Sequence, residues 1–229
     1  EVQIGGLQKL TLLDFPGRVA CTVFLQGCNF RCPFCHNTPL VVGGQDAVRQ
    51  QDFFALLKKR RGLLDAVVVS GGEPLLHPDI EAFLQRIRAE GYAIKLDTNG
   101  SFPARLRRLL QAGLVDYVAM DIKNSPEKYE ATSGAAGILP AVEESAAILL
   151  DAAIPCEFRT TVVDELHEPS DFDAIGRWLQ GAKAYYLQGF VDSGHILCGG
   201  LHAASEEKMR RCLAVVRNYL PQAQLRGVE

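Results

Sequence analysis

Ala66-Val67-Val68-Val69-Ser70, followed by Gly71-Gly72-Glu73-Pro74, is the stretch on which the fold turns. Successive apolar residues, without the alternation of a half-solvated strand, suit a strand buried on both faces, as in a parallel sheet. Glycine and proline then break the run. Ile80, Phe83, Leu84 and Ile87 follow Pro78-Asp79 at helical spacing, with Gly91 as the stop. The same alternation recurs along the chain. Strand-like runs fall at Val19–Leu25, Ala66–Ser70, Ala93–Asp97, Val115–Met120, Cys156–Val163 and Lys183–Gln188. Helical patterns lie between them, around Phe53–Leu57, Leu106–Leu110, Val142–Leu150 and Phe172–Leu179, with a last helix from Ser205 to Tyr219 and Pro221 beyond it. Strand and helix alternating six times means βαβ units with right-handed crossovers. Two α/β architectures fit: an open doubly wound sheet, or a partial, TIM-like barrel of six βα units.

Length and composition agree with one domain spanning residues 1–229. Residues 1–18, with Asp14-Phe15-Pro16-Gly17, read as a lead-in segment and turn, and residues 205–229 as a closing helix and tail. Apolar residues make up 48% and charged residues 22% of the 229, which excludes a disordered chain. The 24 Lys and Arg against 27 Asp and Glu leave a net charge of -3, too small a field to draw nucleic acid or an anionic membrane. No apolar run approaches the roughly eighteen residues of a membrane span, and no signal segment opens the sequence, so a cytoplasmic protein is expected. The basic run Lys58-Lys59-Arg60-Arg61 reads as a solvated helix end favoured by the helix dipole.

The polar motifs are placed unevenly. Gln26-Gly27-Cys28 follows the first strand, Gly71-Gly72-Glu73-Pro74 the second, Asp97-Thr98-Asn99-Gly100 the third and Asp121-Ile122-Lys123 the fourth. Arg159 lies within the fifth strand and Gln188 ends the sixth. Carboxyl ends of parallel strands share one face, where active sites of such folds are built. Each motif alone has a plainer reading. Asp97 and Asp121 could be turn caps, and the glycines a simple strand-to-helix turn. Together, two glycines permit close approach of a ligand to the backbone, Glu73 suits an ammonium group, and Lys123 suits a carboxylate.

The seven cysteines are unevenly placed, three crowded together and four scattered, unlike the even spacing of a disulfide scaffold. Cys28, Cys32 and Cys35 form C-x3-C-x2-C with no fourth cysteine nearby. Three thiolates can hold three irons of a cubane cluster, whose full ligation normally takes four cysteines. The remaining iron would then be open to substrate. The alternative is a Cys3His zinc site completed by His36. Cys21, Cys156, Cys198 and Cys212 lack partners at ligand spacing and read as structural.

The joint motif, Cys28-x3-Cys32-x2-Cys35 after the first strand with Gly71-Gly72-Glu73-Pro74 after the second, resembles the radical S-adenosylmethionine (SAM) superfamily. The stretches Asp14–Arg18 and Gln26–Asn37, with Asp97-Thr98-Asn99-Gly100, Asp121-x-Lys123 and Tyr186-Leu187-Gln188, look more narrowly like the glycyl-radical-enzyme activating enzymes. Within these the nearest type is the activating protein of anaerobic ribonucleoside-triphosphate reductase, with pyruvate formate-lyase activase as a cousin.

The resemblance implies a partial (β/α)6 barrel that reductively cleaves SAM at a [4Fe-4S] cluster and takes a hydrogen atom from a glycine of a partner protein. Cys28, Cys32 and Cys35 would bind the cluster, and Phe34 would lie by the adenine. Glu73 with the backbone of Gly71 and Gly72 would take the methionyl amino group, and Lys123 would face the carboxylate. Asp97, Thr98 and Asp121 would line a ribose or monovalent-cation site, and Arg159 and Gln188 would close the far side. Where pyruvate formate-lyase-type activases carry an adenine-side histidine, this chain has Gln188-Gly189-Phe190; His195 and His202 read as surface or partner-facing residues. An external low-potential electron donor is required, and no further catalytic acid or base. The rivals are a radical SAM enzyme on a small molecule, of the 7-carboxy-7-deazaguanine synthase kind, and a non-catalytic zinc or iron–sulfur module.

Overall fold

Eight strands and eight helices follow one another in the computed structural model, which describes residues 1–35, 37–42 and 47–227. In chain order they are β1 (Ile4–Thr11), β2 (Ala20–Leu25), α1 (Thr38–Val42), α2 (Gln50–Lys59), β3 (Ala66–Gly71), α3 (Ile80–Ala89), β4 (Ala93–Thr98), α4 (Pro103–Gln111), β5 (Tyr117–Asp121), α5 (Tyr129–Ser133), α6 (Leu139–Leu150), β6 (Cys156–Val162), α7 (Pro169–Trp178), β7 (Tyr185–Gly189), α8 (Glu206–Val216) and β8 (Gln224–Arg226). Short 3₁₀ turns stand at Pro74–Leu76 and Pro126–Lys128. Strand order in the sheet repeats chain order, β1 to β8. β1 is antiparallel to β2, whereas β2–β3–β4 and β6–β7–β8 are parallel. Each strand from β2 to β7 is followed by a helix, so the six expected βα units are present.

Two strands were not legible. β1 occupies the segment read as a lead-in, and its Gly5-Gly6 pair has little intrinsic strand preference. β8, three residues long, is too short to show a period.

The chain contacts group into two compact units. The first comprises Glu1–Asn29, Pro39–Thr98 and Phe102–Val118. Here β2 and β3 run in register from Ala20 beside Ala66 to Leu25 beside Gly71. Val67, Val68 and Val69 have no exposed surface, as the unbroken apolar run required. α3 turns Ile80, Phe83, Leu84 and Ile87 inward. Phe53, Phe54 and Phe83 form a cluster with ring centroids 5.1–5.7 Å apart, each buried ring stabilising the fold by about 1.5–3 kcal/mol. α2 ends at Lys59, placing the basic run at a helix terminus.

At the carboxyl end of β3 the backbone of the first unit closes on itself. Gly72 N donates to Leu25 O at 3.0 Å and Glu73 N to Gly27 O at 2.8 Å. A Cβ on Gly72 would stand 2.1 Å from Gly27 O, and Gly71 has φ of +121° with Leu25 N only 2.3 Å from its missing Cβ. Both glycines are therefore imposed by the neighbouring strand end, not only by any ligand above it.

The second unit comprises Phe30–Thr38, Asn99–Ser101 and Ala119–Glu229. β6 and β7 pair from Phe158 beside Tyr185 to Val162 beside Gly189, and β7 pairs with β8. Glu168 and Asp171 form a capping box at the start of α7, and Ser205 Oγ caps α8 by accepting from Lys208 N at 3.1 Å. Phe172 and Ile175 of α7, with Met209, Cys212 and Val216 of α8, are buried. α5 ends at Gly134, whose φ of +65° and close approach (a Cβ would lie 2.6 Å from Arg31 O) seat the Phe30–Thr38 segment.

Gly72→Ala is expected to lower the melting temperature sharply, since Gly27 backbone cannot yield as a flexible side chain would; overpacking of this kind costs about 1–3 kcal/mol or more. Gly199→Ala, with nothing within 4 Å, should leave it nearly unchanged. Equal melting temperatures in differential scanning calorimetry would refute the close contact.

Candidate functional site

In the first unit the motifs after β2, β3 and β4 are held by one another. Gln26 O receives a hydrogen bond from the His77 ring (Nε2 to O, 2.8 Å), and Gly27 N donates to Leu40 O at 2.8 Å, which fixes the backbone just before the half-buried Cys28. Glu73 is fully buried. Its Oε1 accepts from Leu75 N at 3.1 Å and from Thr98 Oγ1 at 2.7 Å, so the carboxylate both caps the 3₁₀ turn and joins the ends of β3 and β4. Asp97 is paired in this unit with Lys95, at 2.9 Å between Nζ and Oδ1. Burial lowers the pKa of His77 and keeps the ring neutral.

In the second unit the remaining cysteines lie on a tight turn, with Cys35 N donating to Cys32 O at 3.1 Å. Neighbouring segments fix it. Arg31 N donates to Ser133 O at 2.9 Å, Cys198 N to Pro33 O at 3.0 Å, and Thr38 Oγ1 to Cys35 O at 3.0 Å. Cys32 is buried and Cys35 half-buried; no described cysteine is in a disulfide. Phe34, between them, is buried, its ring facing Lys123 Nζ at 5.9 Å from the centroid.

Asp121 and Lys123, just past the buried part of β5, meet Arg159 of β6. Arg159 Nε donates to Asp121 Oδ1 at 2.6 Å, and Lys123 Nζ stands 3.5 Å from Oδ2. Burial works against the charged form of Asp121, but the two cations outweigh it and hold its pKa down at about 2. The three side chains together carry one more positive than negative charge. Gln188, half-buried in β7, sits in register between Thr161 and Arg226.

Sequence reasoning missed two residues of this unit. Tyr129 is fully buried on α5; its hydroxyl accepts from Lys123 N at 3.3 Å and lies 3.4 Å from Asp121 O. His167, also without exposed surface, packs edge-on to Phe34 with centroids 6.5 Å apart. Neither belongs to a motif; only folding brings them to the end of β5. His195 and His202 are exposed, as expected, and His202 pairs with Glu165. Cys21 and Cys212 are buried, and burial pushes each thiol up to about 11. Cys156 is half-buried and Cys198 exposed. His36, the proposed fourth ligand of a zinc site, lies outside the described residues. Among the described residues no helix is long and apolar enough to cross a membrane.

The profile of the radical SAM superfamily matches residues 22–179, and the chain belongs to that superfamily. Its members use a [4Fe-4S] cluster and SAM. A Methanocaldococcus jannaschii protein named for glycyl-radical enzyme activation is 26% identical over 98% of this chain and 96% of its own length. The pyruvate formate-lyase-activating enzyme of Listeria monocytogenes is 34% identical over 56% of each chain. Among solved structures, peptide-bound SuiB of Streptococcus suis superposes with a TM-score of 0.70 at 13% identity, over 89% of this chain and 47% of that one. The α/β class expected from the alternation of strand and helix is the one found, and of the two architectures it left open the fold is that of the radical SAM superfamily.

The donor set fits a cluster in its chemistry: three cysteines within eight residues of sequence, none in a disulfide, with Cys32 and Cys35 on a turn held by backbone bonds. Among the described residues no trio of His, Cys, Asp or Glu side chains is already gathered as a metal site.

Burial also lowers the pKa of His167, so the folded protein resists protonation there. An unfolded chain takes up that proton below its ordinary pKa of about 6.5. The associated stability is present above that pH and lost as pH falls through it. Thermal melts of the cluster-free protein from pH 7.5 to 5.5 should show a smaller loss for His167→Gln than for wild type. His77 acts in the same direction and the exposed His202 in the opposite one in both proteins, so the comparison isolates His167. Parallel curves would contradict the neutral buried ring.

Proposed function

We propose that this chain is a radical SAM activase that takes a hydrogen atom from a glycine of a partner glycyl-radical enzyme, with anaerobic ribonucleoside-triphosphate reductase as the best-fitting partner. The observation that carries the reading is the end-to-end likeness to a relative named for glycyl-radical enzyme activation, in a chain whose cysteines stand as C-x3-C-x2-C. The partial match to a pyruvate formate-lyase activase supports the same class.

In this reading Cys28, Cys32 and Cys35 hold the cluster. Once bound and supplied with an electron by an external low-potential donor, the cluster and SAM provide one-electron cleavage of the sulfonium and abstraction of hydrogen from the partner's glycine. The protein's own part is to bind, orient and exclude water. Glu73, buried and accepting from a backbone amide and a hydroxyl, is the acceptor for the methionyl ammonium, beside the backbone of Gly71 and Gly72. Lys123, in a trio carrying net positive charge, meets the methionyl carboxylate. Phe34 offers an apolar ring to the adenine. Asp97, Thr98 and Asp121 take the ribose or a monovalent cation, and Arg159 and Gln188 border the far side. Arg159 does so while neutralising Asp121, a role the sequence did not suggest.

The test is anaerobic reconstitution with iron and sulfide, then dithionite and SAM. Wild type should release methionine and 5′-deoxyadenosine, Cys32→Ala neither, and Cys212→Ala, altered at a buried thiol of α8, both products. With the reductase added, electron paramagnetic resonance should show a glycyl doublet on the partner. Absence of products in wild type would end the enzyme reading; products without a doublet on any glycyl-radical enzyme would favour a small-molecule substrate.

A further inference from the structure

Lys123 lies two residues beyond the end of β5, where the strand ladder no longer satisfies its backbone. Just before it, Ile122 N donates to Arg159 O at 2.8 Å. Both polar groups of the Lys123 backbone instead meet buried side chains from other elements. Its N–H donates to the Tyr129 hydroxyl of α5 at 3.3 Å, and its carbonyl lies 2.8 Å from His167 Nε2.

The imidazole can do this in one way. Nε2 faces a carbonyl oxygen, which can only accept, and in the neutral ring Nδ1 then carries no proton: of its two neighbours, Val163 N at 3.0 Å and Val163 O at 3.3 Å, it accepts from the amide. The proton is on Nε2, and Nε2–H donates to Lys123 O. Both ring nitrogens are thereby occupied by backbone, and His167 has no group left to offer a ligand directly. Beside it, Asn124 Nδ2 donates to Leu166 O at 3.0 Å, tying residues 123–124 to 166–167 at two successive points. The same imidazole packs edge-on to Phe34, the ring between Cys32 and Cys35.

We propose that Tyr129 and His167 are positioning residues: a clamp that fixes the Lys123 backbone from both sides and, through His167, braces Phe34, so that the ammonium group and the ring keep a set relation for binding SAM. The inference rests on the assignment of Lys123 to the SAM carboxylate. Without the clamp, Lys123 sits on an unsupported strand end, and a flexible lysine in an unfixed backbone loses orientation.

The test measures SAM affinity by isothermal titration on anaerobically reconstituted protein, with iron content and melting temperature determined in parallel. His167→Asn keeps an acceptor near Nδ1 but is too short to reach Lys123 O. His167→Gln reaches it with an amide N–H. Tyr129→Phe removes the other jaw. His167→Asn and Tyr129→Phe should each weaken SAM binding about ten- to hundredfold, as loss of supporting contacts does at cofactor sites, while His167→Gln stays within about threefold of wild type. In a Lys123→Met background, His167→Asn should change affinity less than about threefold, because the residue it positions is already gone.

Wild-type affinity in an iron-loaded His167→Asn or Tyr129→Phe would overturn the clamp, as would full additivity with Lys123→Met. So would loss of iron from both variants while Lys123→Met keeps it, since the pair would then serve the cysteine turn. A wild type that loads iron but binds no SAM removes the functional reading and the clamp with it; a wild type that binds SAM, with variants that match it, removes the clamp alone.

Discussion

A parallel strand runs out of hydrogen-bond partners at its carboxyl end, and buried backbone groups there must be met by something else. Each uncompensated group costs about 1–3 kcal/mol, enough to decide local structure. In the first unit, Glu73 N finds Gly27 O and Gly72 N finds Leu25 O, which forces glycine at 72 because any side chain would collide with Gly27. In the second, the backbone of Lys123 is met by Tyr129 and His167. The residues suited to cofactor binding stand at these same places. Backbone need at the strand ends is one reason why short polar motifs follow the strands.

Charge is handled in the same economical way. Asp121 is half-buried between Lys123 and Arg159, and two cations on one carboxylate leave the group positive. Glu73, with no exposed surface, has its side-chain oxygen met by two donors, Leu75 N and Thr98 Oγ1. Buried charges left unpaired would be costly, and in each unit these groups are held by partners from neighbouring elements.

The cysteine turn shows how a segment without regular structure is still fixed. Ser133, Cys198 and Thr38 bond its backbone or flank it, and Gly134 makes room for Arg31. Cys198 thus contributes through its amide while its exposed side chain is uninvolved in that bond. The sequence offers no sign of this role, because a backbone donor leaves no trace in residue type.

What the chain's own order of residues determined was considerable. Apolar runs such as Ala66–Val69 and Val115–Met120 marked strands, and the 3.6-residue spacing of Ile80, Phe83, Leu84 and Ile87 marked a helix, because burial on a fixed period is a local property. The cysteine spacing and Gly71-Gly72-Glu73 pointed to the superfamily for a related reason: each motif is built from consecutive or closely spaced residues of one segment. Tertiary structure alone decided that β1 pairs antiparallel with β2, that Arg159 neutralises Asp121, and that Tyr129 and His167 meet at Lys123. Those contacts join residues six to forty-four positions apart. They depend on which backbone groups a strand end leaves unsatisfied, and that is settled only when the sheet has formed.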